Sequence, residues 1–375
     1  MRLDLSLCVN FTMRTATCKA RAFAVNSRIR KSRYRILPQA PENKKEVPLR
    51  RVCVAPMLDW SDRNYRFFMR LISRHSLLYT EMVTTGAILH GDEAHHLAFN
   101  DVEHPLALQL GGSEPKALAQ CAKIAERYGY DEINLNCGCP SDRVQKGRFG
   151  ACLMKEPALV TDCLAAMKDA VNIPVTLKHR IGVDEQTSYA KLENFVGTVA
   201  ASGCDAFIVH ARIALLKGLS PKDNRTIPPL NYDVVYRLKQ SFPDQEFIIN
   251  GGITRIDEIE THLNNVDGVM LGREAYHNPY RLADVDRLFY GAPERPNSRL
   301  EVLEKLTHFV EQALKHDSKI HHITRHILGL FHGQPGARKF RRLLSERSHQ
   351  NNPGIEILLE AHKLMSNYER PSPTP

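Results

Sequence analysis

The sequence predicts an α/β fold: a (β/α)8 TIM barrel followed by a small helical domain. Three observations lead to this prediction. Short apolar runs of strand length alternate with helical patterns over roughly 240 residues, which is close to the usual size of such a barrel. Polar residues stand where several of these runs end. After residue 295 the strand pattern stops, and helical periodicity continues alone.

Eight apolar runs predict the strands of the barrel. They cover residues 52–58, 77–83, 106–110, 132–136, 175–178, 206–210, 246–250 and 268–272. Helical patterns separate most of them, at residues 115–128, 159–171, 189–201, 232–241 and 256–263. A doubly wound sheet is the competing fold, but the Gly-rich dinucleotide loop that follows its first strand is missing here.

The chain divides into four predicted regions. Residues 1–46 form a basic, disordered extension, and residues 47–295 form the barrel. A Pro/Gly-rich stretch at 291–297 reads as a linker into a helical domain, residues 296–370, and a short disordered tail follows at 371–375. Within the helical domain the periodicity predicts helices at 300–315, 319–330 and 355–368, and a turn leading into a basic helix at 333–347.

The formal charge of +9 comes from the N-terminal segment. Residues 1–51 hold 13 of the 51 Lys/Arg and 3 of the 42 Asp/Glu residues, which leaves 38 basic and 39 acidic residues in the body. Bulk charge therefore gives no argument for nucleic-acid binding, and an RNA site has to be a local patch. An Arg-rich, acid-poor extension is typical of an organelle transit peptide. We favour a disordered extension, or a start site placed too far upstream with Met13 as the alternative.

Composition excludes several classes of protein. No run approaches the ~18 apolar residues of a membrane-spanning helix, so we expect no membrane association. The nine cysteines are odd in number and contain no C-x-x-C pair, which argues against a disulfide framework or a zinc knuckle. A reducing compartment is the natural setting, and we predict a cytoplasmic protein with no obligate protein partner.

The ends of the predicted strands carry the candidate site, because barrel enzymes place their chemistry at that face. Gln, Asn, Lys and His residues stand at four different strand ends. The turns that follow do not need these side chains for their structure, so the side chains indicate a functional site. Asn250-Gly251-Gly252 and Gly272-Arg273 follow the seventh and eighth strands, where barrels commonly bind phosphate. Two ordinary glycine turns are the alternative.

Two further strand-end residues have reactive side chains. Lys178 could form a Schiff base, or place a positive charge over an anionic cofactor; a solvated strand cap is the structural alternative. Cys139 lies in a Gly-Cys-Pro turn that presents its side chain, and a neutral thiol there could donate a proton. We interpret the other cysteines, Cys137 included, as structural.

Two histidine groups have spacings that could hold a metal. One is His90, Asp92, His95 and His96; the other is His322 with His326 at i, i+4. Neither has a further ligand at an obvious spacing. We therefore assign both groups to solvated surface and predict no metal site.

The strand-end motifs together resemble the tRNA-dihydrouridine synthases, over about residues 52–368. Within that family the chain is most similar to the A-type bacterial enzymes, through segments 140–154 and 217–229. Cys137 departs from the pattern, which has valine there. The matching motifs, in chain order, are Ala55-Pro56-Met57, Leu135-Asn136-x-Gly138-Cys139-Pro140, Lys178-His179-Arg180, His210-Ala211-Arg212, Asn250-Gly251-Gly252 and Gly272-Arg273.

The resemblance implies specific roles. Cys139 would be the proton donor, and Asn136 would contact the target base. The tRNA would be oriented by Lys222, Arg225, Arg338 and Arg341. FMN would be held by Pro56, Met57, Leu58, Gln109, Lys178, His210, Asn250, Gly251, Gly252, Gly272 and Arg273.

The implied reaction reduces the C5=C6 bond of uridines 20 and 20a in the tRNA D loop. NADPH would reduce FMN, hydride would pass to C6, and Cys139 would protonate C5. One alternative is a flavin-dependent barrel that reduces a free pyrimidine, as dihydroorotate dehydrogenases do, but it leaves the basic helical domain without a purpose. Another is an RNA-binding protein on an inactive barrel, which would leave Gln109, Lys178 and His210 idle.

Overall fold

Eight parallel strands close into a barrel, in which each strand pairs with its neighbours in sequence and the last pairs with the first. The computed structural model describes residues 48–315, 319–350 and 353–369, which belong to one compact unit. The predicted extension 1–46 and tail 371–375 lie outside the described residues. The strands are β1 Val52–Val54, β2 Leu77–Thr84, β3 Leu106–Gly111, β4 Glu132–Cys137, β5 Val175–Arg180, β6 Ala206–His210, β7 Glu246–Asn250 and β8 Gly268–Leu271.

Helices follow the strands and cover the outside of the barrel. Short 3-10 turns lie at Asp101–Glu103, Gly150–Lys155, Asp223–Arg225 and Pro279–Leu282. The α-helices of the described residues are α1 Arg63–Ile72, α2 Thr85–His90, α3 Glu93–Leu97, α4 Pro115–Tyr128, α5 Asp142–Lys146, α6 Pro157–Lys168, α7 Tyr189–Ala200, α8 Tyr232–Ser241, α9 Ile256–Leu263, α10 Arg273–His277, α11 Val285–Phe289, α12 Arg299–Leu314, α13 Ile320–Thr324, α14 Ala337–Arg347 and α15 Glu356–Glu369.

Local sequence explains where α4 begins and ends. Pro115 occupies the first helical position, where its missing N–H costs nothing, and the Glu114 carboxylate accepts the free backbone N–H groups of Lys116 and Ala117. Gly129 ends the helix in a left-handed conformation with φ of 99°. The buried residues Leu118, Cys121, Ala122 and Ala125 follow the i, i+3, i+4, i+7 spacing of a helix, which is why periodicity predicted the bounds of this helix correctly.

The barrel prediction is confirmed, and two predicted elements are markedly shorter in the structure. Strand β1 ends at Val54, short of the predicted residue 58, because Pro56 has no N–H to continue a ladder. The Met57 N–H is instead taken by the Ser61 hydroxyl, 2.8 Å away, which closes a turn. In the predicted helix 319–330 only Ile320–Thr324 is helical, and turns follow it.

Two apolar layers hold the barrel together. A large outer core fills the space between strands and helices, and a small inner core of nine buried residues, among them Tyr79, Ile208 and Met270, fills part of the interior. The helical segment from α12 onward packs on α1, where the rings of Phe67 and Phe309 stack with centroids 3.7 Å apart. No helix of the described residues is long and apolar enough to cross a membrane.

Candidate active site

A cavity of about 1470 Å³ opens at the carboxyl ends of the strands. Most of the predicted site residues line it, although they come from separate parts of the chain. Of the predicted set, Lys222, Arg338 and Arg341 are not among the residues that line it. Those that do are Pro56, Met57, Leu58, Gln109, Asn136, Cys139, Lys178, His210, Arg225, Asn250, Gly251, Gly252, Gly272 and Arg273.

The turn that carries Cys139 is fixed from both sides. The Asn136 side-chain oxygen accepts the backbone N–H groups of Gly138 and Cys139, at 3.1 and 3.0 Å. On the other side, Arg180 Nε donates to the Gly138 carbonyl at 2.9 Å. Cys139 is partly exposed in the cavity, with Sγ 3.6 Å from the Ser141 hydroxyl. The thiol is therefore held toward the space that a substrate would occupy.

Cys137, two residues earlier, has a different environment. Its side chain is fully buried in the outer core, and burial raises the pKa of the thiol well above its ordinary value. The structure therefore separates two neighbouring cysteines that composition alone leaves alike. All seven cysteines of the described residues are free thiols.

A chain of buried amides sets the orientation of Asn136. Its Nδ2 donates to Gln109 Oε1 at 2.8 Å, and Gln109 Nε2 donates to Asn134 Oδ1, also at 2.8 Å. Asn134 Nδ2 in turn donates to the Thr176 hydroxyl at 2.9 Å, and that hydroxyl donates to Glu132 at 2.6 Å. Since each partner fixes the next, the amide of Asn136 cannot flip without breaking the series.

An ion pair anchors this series of hydrogen-bonded side chains at the opposite end of the barrel. Arg50 Nε lies 2.6 Å from Glu132, its Nη1 lies 2.7 Å from Glu246, and the Tyr79 hydroxyl also donates to Glu132, at 2.7 Å. Sequence reasoning missed Glu132, Thr176 and Arg50. The signal was present, because Glu132-Ile-Asn-Leu-Asn alternates polar and apolar residues, as a strand does when its inner face is polar.

Positive charge gathers on the side of the cavity opposite β1. Lys178 Nζ donates to Asn250 Oδ1 at 3.2 Å, and burial together with the charge of Arg180 lowers the Lys178 pKa to about 7. Burial, and then the charges of Arg180 and Lys178, place the pKa of His210 well below its usual range. His210 is therefore a neutral imidazole at physiological pH, and a bound anion would stabilise the charged form of Lys178.

The loops after β7 and β8 form a corner suited to a phosphate group. Gly251 has φ of 120°, and a Cβ there would lie 2.7 Å from the His210 ring, so only glycine fits this close approach. Burial and the charge of Arg273 lower the pKa of both Arg212 and Arg225. Among the described residues these three arginines have no carboxylate partner within ion-pair distance, and Arg212 Nε is buried without a hydrogen bond. An anion would relieve this repulsion.

One histidine assignment is wrong. His326 is buried rather than solvated, because its ring packs between the barrel and the helical segment: Nε2 lies 3.0 Å from Asp62 Oδ2, and Nδ1 lies 3.2 Å from the Tyr276 hydroxyl. Burial would raise the Asp62 pKa, but the contacts with His326 and Arg325 lower it to about 2. His322 is exposed, as are His90, Asp92, His95 and His96. The described residues contain no group of three or more potential ligands arranged to hold a metal.

The predicted basic residues of the helical segment lie on the outer face of α14. This helix buries Ala337, Phe340 and Leu344, which leaves Arg338 and Arg341 exposed on the opposite side. Neither guanidinium has an ion-pair partner in the part of the chain that the structure describes. Lys222 is likewise exposed, next to the 3-10 turn that carries Arg225.

Comparison with known proteins decides the family. A model of the dihydrouridine synthase (Dus) family matches residues 53–367. The chain belongs to the dihydrouridine synthase family. The resemblance inferred from the strand-end motifs is thereby confirmed.

Curated relatives within the family are similar over most of their length. The chain is 59% identical over 310 residues to a tRNA-dihydrouridine(20/20a) synthase of Shewanella oneidensis, covering 83% of this chain and 92% of that protein. It is 56% identical over 325 residues to the protein of that name from Pseudomonas putida, covering 87% and 97%. For the Escherichia coli K12 protein the identity is 56% over 318 residues, covering 84% and 92%.

One solved structure outside the family shares the fold. A 2-naphthoyl-CoA reductase in complex with 2-naphthoyl-CoA aligns with a TM-score of 0.51 at 10% identity, over 65% of this chain and 50% of that chain. At this identity the likeness shows the fold alone.

Proposed function

We propose that the protein is an FMN-dependent tRNA-dihydrouridine synthase that reduces uridines 20 and 20a of the tRNA D loop with NADPH. One observation carries the proposal: Asn136 and Arg180 hold Cys139 toward a large cavity that Lys178, His210, Arg225 and Arg273 also line. The (20/20a) synthase names of the relatives support the substrate and its positions.

The corner after β7 and β8 fits the phosphate of FMN. Backbone N–H groups of Gly251 and Gly252 can approach the phosphate oxygens, and Arg273 adds a forked cation. Pro56, Met57, Leu58, Gln109, His210, Asn250 and Gly272 complete the surface for the rest of the cofactor. Bound FMN, after reduction by NADPH, would supply the hydride that adds to C6 of the uracil.

Lys178 and Cys139 have separate roles in this reaction: Lys178 stabilises negative charge, and Cys139 donates a proton. Lys178 stabilises negative charge at the base of the cavity, and an anion beside it shifts its proton equilibrium toward the ammonium form. The C5=C6 bond of uracil is conjugated with the C4 carbonyl, so addition at C6 leaves enolate charge that must be quenched at C5. Cys139 donates the proton to C5.

Asn136 has two tasks that use different atoms. Its oxygen is committed to the N–H groups of Gly138 and Cys139, and one Nδ2 hydrogen is committed to Gln109. The second Nδ2 hydrogen is available to contact an acceptor on the target base. The residue that orients the thiol therefore also orients the base, which favours in-line proton transfer.

Local basic groups at the cavity and outside it hold the tRNA. The target base has to leave its stack to reach the barrel mouth, at a cost that is smaller in a loop than in a duplex. The groups that contact the tRNA phosphates are Lys222, Arg225, Arg338 and Arg341. In this proposal residues 47–295 form the FMN-binding barrel, and residues 296–370 form the tRNA-binding domain. We assign the reaction to the cytoplasm, where the free thiols of the described cysteines suit a reducing environment.

Dihydrouridine mapping on an unmodified tRNA transcript tests the proposal. The purified protein is incubated with FMN, NADPH and the transcript, and each position is scored. We expect reduction confined to uridines 20 and 20a, and none when NADPH is left out. Reduction elsewhere in the tRNA would retain the reaction but overturn the assigned positions, while bound flavin and NADPH consumption without dihydrouridine would overturn the proposed substrate.

A further inference from the structure

Trp60 is the only tryptophan of the chain, and it lines the same cavity at its rim. It lies in the loop after β1 and is half-buried, close in sequence to Leu58, whose side chain is 69% exposed. The reaction as described above gives this indole no task. An indole at the edge of a cavity can offer its π-face to a flat ligand.

The ring is held rigidly. Trp60 stacks on Tyr276 with centroids 4.2 Å apart and planes inclined by 13°, and His277 contacts it edge-on at 5.1 Å. Tyr276 is itself braced by the ring of Tyr65 at 5.3 Å and by that of His326 at 5.8 Å. The indole would therefore lose little conformational entropy when an aromatic ligand stacks on it.

The loop that presents the indole is also fixed. Backbone N–H groups of Trp60 and Ser61 both donate to the Met57 carbonyl, at 3.0 and 2.8 Å. Asp59, with φ of 64°, donates its N–H to the Glu81 carboxylate at 2.5 Å. These hydrogen bonds restrain the turn on which a flat ligand could stack.

Trp60 is separated from the reacting thiol by the width of the barrel mouth. Cys139 follows β4, and three strand steps around a ring of eight separate β4 from β1. A base that receives a proton from Cys139 cannot at the same time stack on Trp60. The lining of the same cavity also includes Arg63 of the barrel and His322 of the helical segment, two groups that can contact phosphate or sugar.

We propose that Trp60, backed by Tyr276, is the stacking platform for an unpaired D-loop base that neighbours the target uridine. Every base has a π-face, so this contact adds affinity without reading sequence. When the target base enters the cavity, its neighbour loses a stacking partner in the tRNA, and the indole replaces that partner. The proposal rests on the proposed function, because it requires RNA at this rim.

The test combines two substitutions in the protein with base deletions in the RNA. Flavin-loaded wild type, Trp60→Ala and Trp60→Phe are assayed for dihydrouridine formation and for binding of an unmodified tRNA transcript. We expect Trp60→Ala to raise the KM for tRNA about tenfold with little change in kcat, and Trp60→Phe to retain most of the affinity. Flavin content and NADPH oxidation should stay at the wild-type level in both variants.

Transcripts with an abasic nucleotide at each position flanking 20 and 20a identify the base. One abasic transcript should bind the wild-type protein about tenfold more weakly than the intact transcript does. The Trp60→Ala variant should bind both transcripts equally, because it no longer has the indole on which the missing base would stack. Tyr128→Ala is the matched control, because Tyr128 ends α4 at the opposite face of the barrel. Its response to every transcript should equal that of wild type.

The single tryptophan also gives a signal that requires no substitution. Titration of flavin-loaded wild type with the transcript should quench the Trp60 emission, and the critical abasic transcript should quench it less. A Trp60→Ala protein with wild-type KM and wild-type response to every abasic transcript would overturn the platform and leave the proposed function standing. A wild-type protein that shows the coupling but forms no dihydrouridine would overturn the proposed function instead.

Discussion

The barrel mouth and the outer face of α14 place their functional residues in opposite environments. At the mouth, Asn136 is 9% exposed and Gln109 is 1% exposed, and hydrogen bonds fix the orientation of both side-chain amides. On α14, Arg338 and Arg341 extend into solvent from a helix whose other face packs in the core. The mouth is preorganised for chemistry, whereas the helix face offers charge that RNA can order on binding. The effects of substitution should differ accordingly.

The largest effect is expected at Cys139. Replacing Cys139 with Ala removes the proposed proton donor, so dihydrouridine formation should fall about 10²–10⁴-fold. Bound flavin and NADPH oxidation should remain, because the thiol makes no contact on which the phosphate corner depends. The measurement is dihydrouridine yield beside NADPH consumption in the same reaction.

Cys152→Ala is the matched control for this substitution. Cys152 is also partly exposed, and its thiol donates to the Phe149 carbonyl. Activity of this variant should stay near wild type. Loss of flavin from Cys139→Ala would show that Cys139 supports the cofactor rather than the substrate.

A smaller effect is expected deep in the barrel, at Thr176. Thr176→Val leaves Asn134 Nδ2 without its acceptor and deprives Glu132 of a donor. Unfolding in urea should show a loss of about 1–3 kcal/mol of stability. Because the amide series then no longer fixes Asn136, kcat should also fall severalfold.

Thr161→Val provides the comparison for Thr176→Val. The Thr161 hydroxyl donates only to the carbonyls of Pro157 and Thr198, on the outer helices. We expect a modest change in stability and none in kcat. Equal kcat values for the two variants would contradict the claim that the buried series positions the site.

The third prediction concerns pH and the charge of Lys178. Its pKa of about 7 lies below the ordinary lysine value, and a bound anion raises it. Above pH 7, Lys178 therefore takes up a proton when FMN binds. The affinity for FMN should be constant below pH 7 and should decrease as the pH rises above 7. Lys178→Met should bind FMN more weakly and lose this dependence, while Lys178→Arg should retain binding. FMN titration of deflavinated protein across pH 6–9 provides the measurement, and a pH-independent wild type would contradict the assignment.

The smallest effect is expected on α14. Arg338→Ala combined with Arg341→Ala should raise the KM for tRNA about three- to tenfold and make binding less dependent on salt, because the two proposed phosphate contacts would be lost. Flavin content and kcat should not change. The paired substitution Lys123→Ala with Arg127→Ala removes two exposed charges from α4, and it should leave the salt dependence intact. An unchanged salt dependence in the α14 variant would remove these arginines from the interface.

The same contrast explains how much the sequence could predict. The functional strand ends can be recognised in the sequence, because the Gln, Lys and Asn residues at the ends of apolar runs are not needed there for the fold. As predicted, Gln109, Lys178 and Asn250 all line the cavity. Helix bounds at α4, α8 and α9 followed from periodicity and local capping. Long-range partners could not be inferred in this way. The burial of His326 depends on Asp62, 264 positions away in the chain, and no local pattern encodes that contact.

The most direct test of the account offers the enzyme both candidate substrates side by side. Flavin-loaded protein and NADPH are incubated with an unmodified tRNA transcript or with free uridine nucleotides, and dihydrouridine is quantified in each. The account predicts reduction of the transcript and essentially none of the free nucleotides, because the RNA contacts outside the cavity supply the affinity. Reduction of free nucleotides with no product in the transcript would contradict it, and would make the barrel a reductase of small pyrimidines.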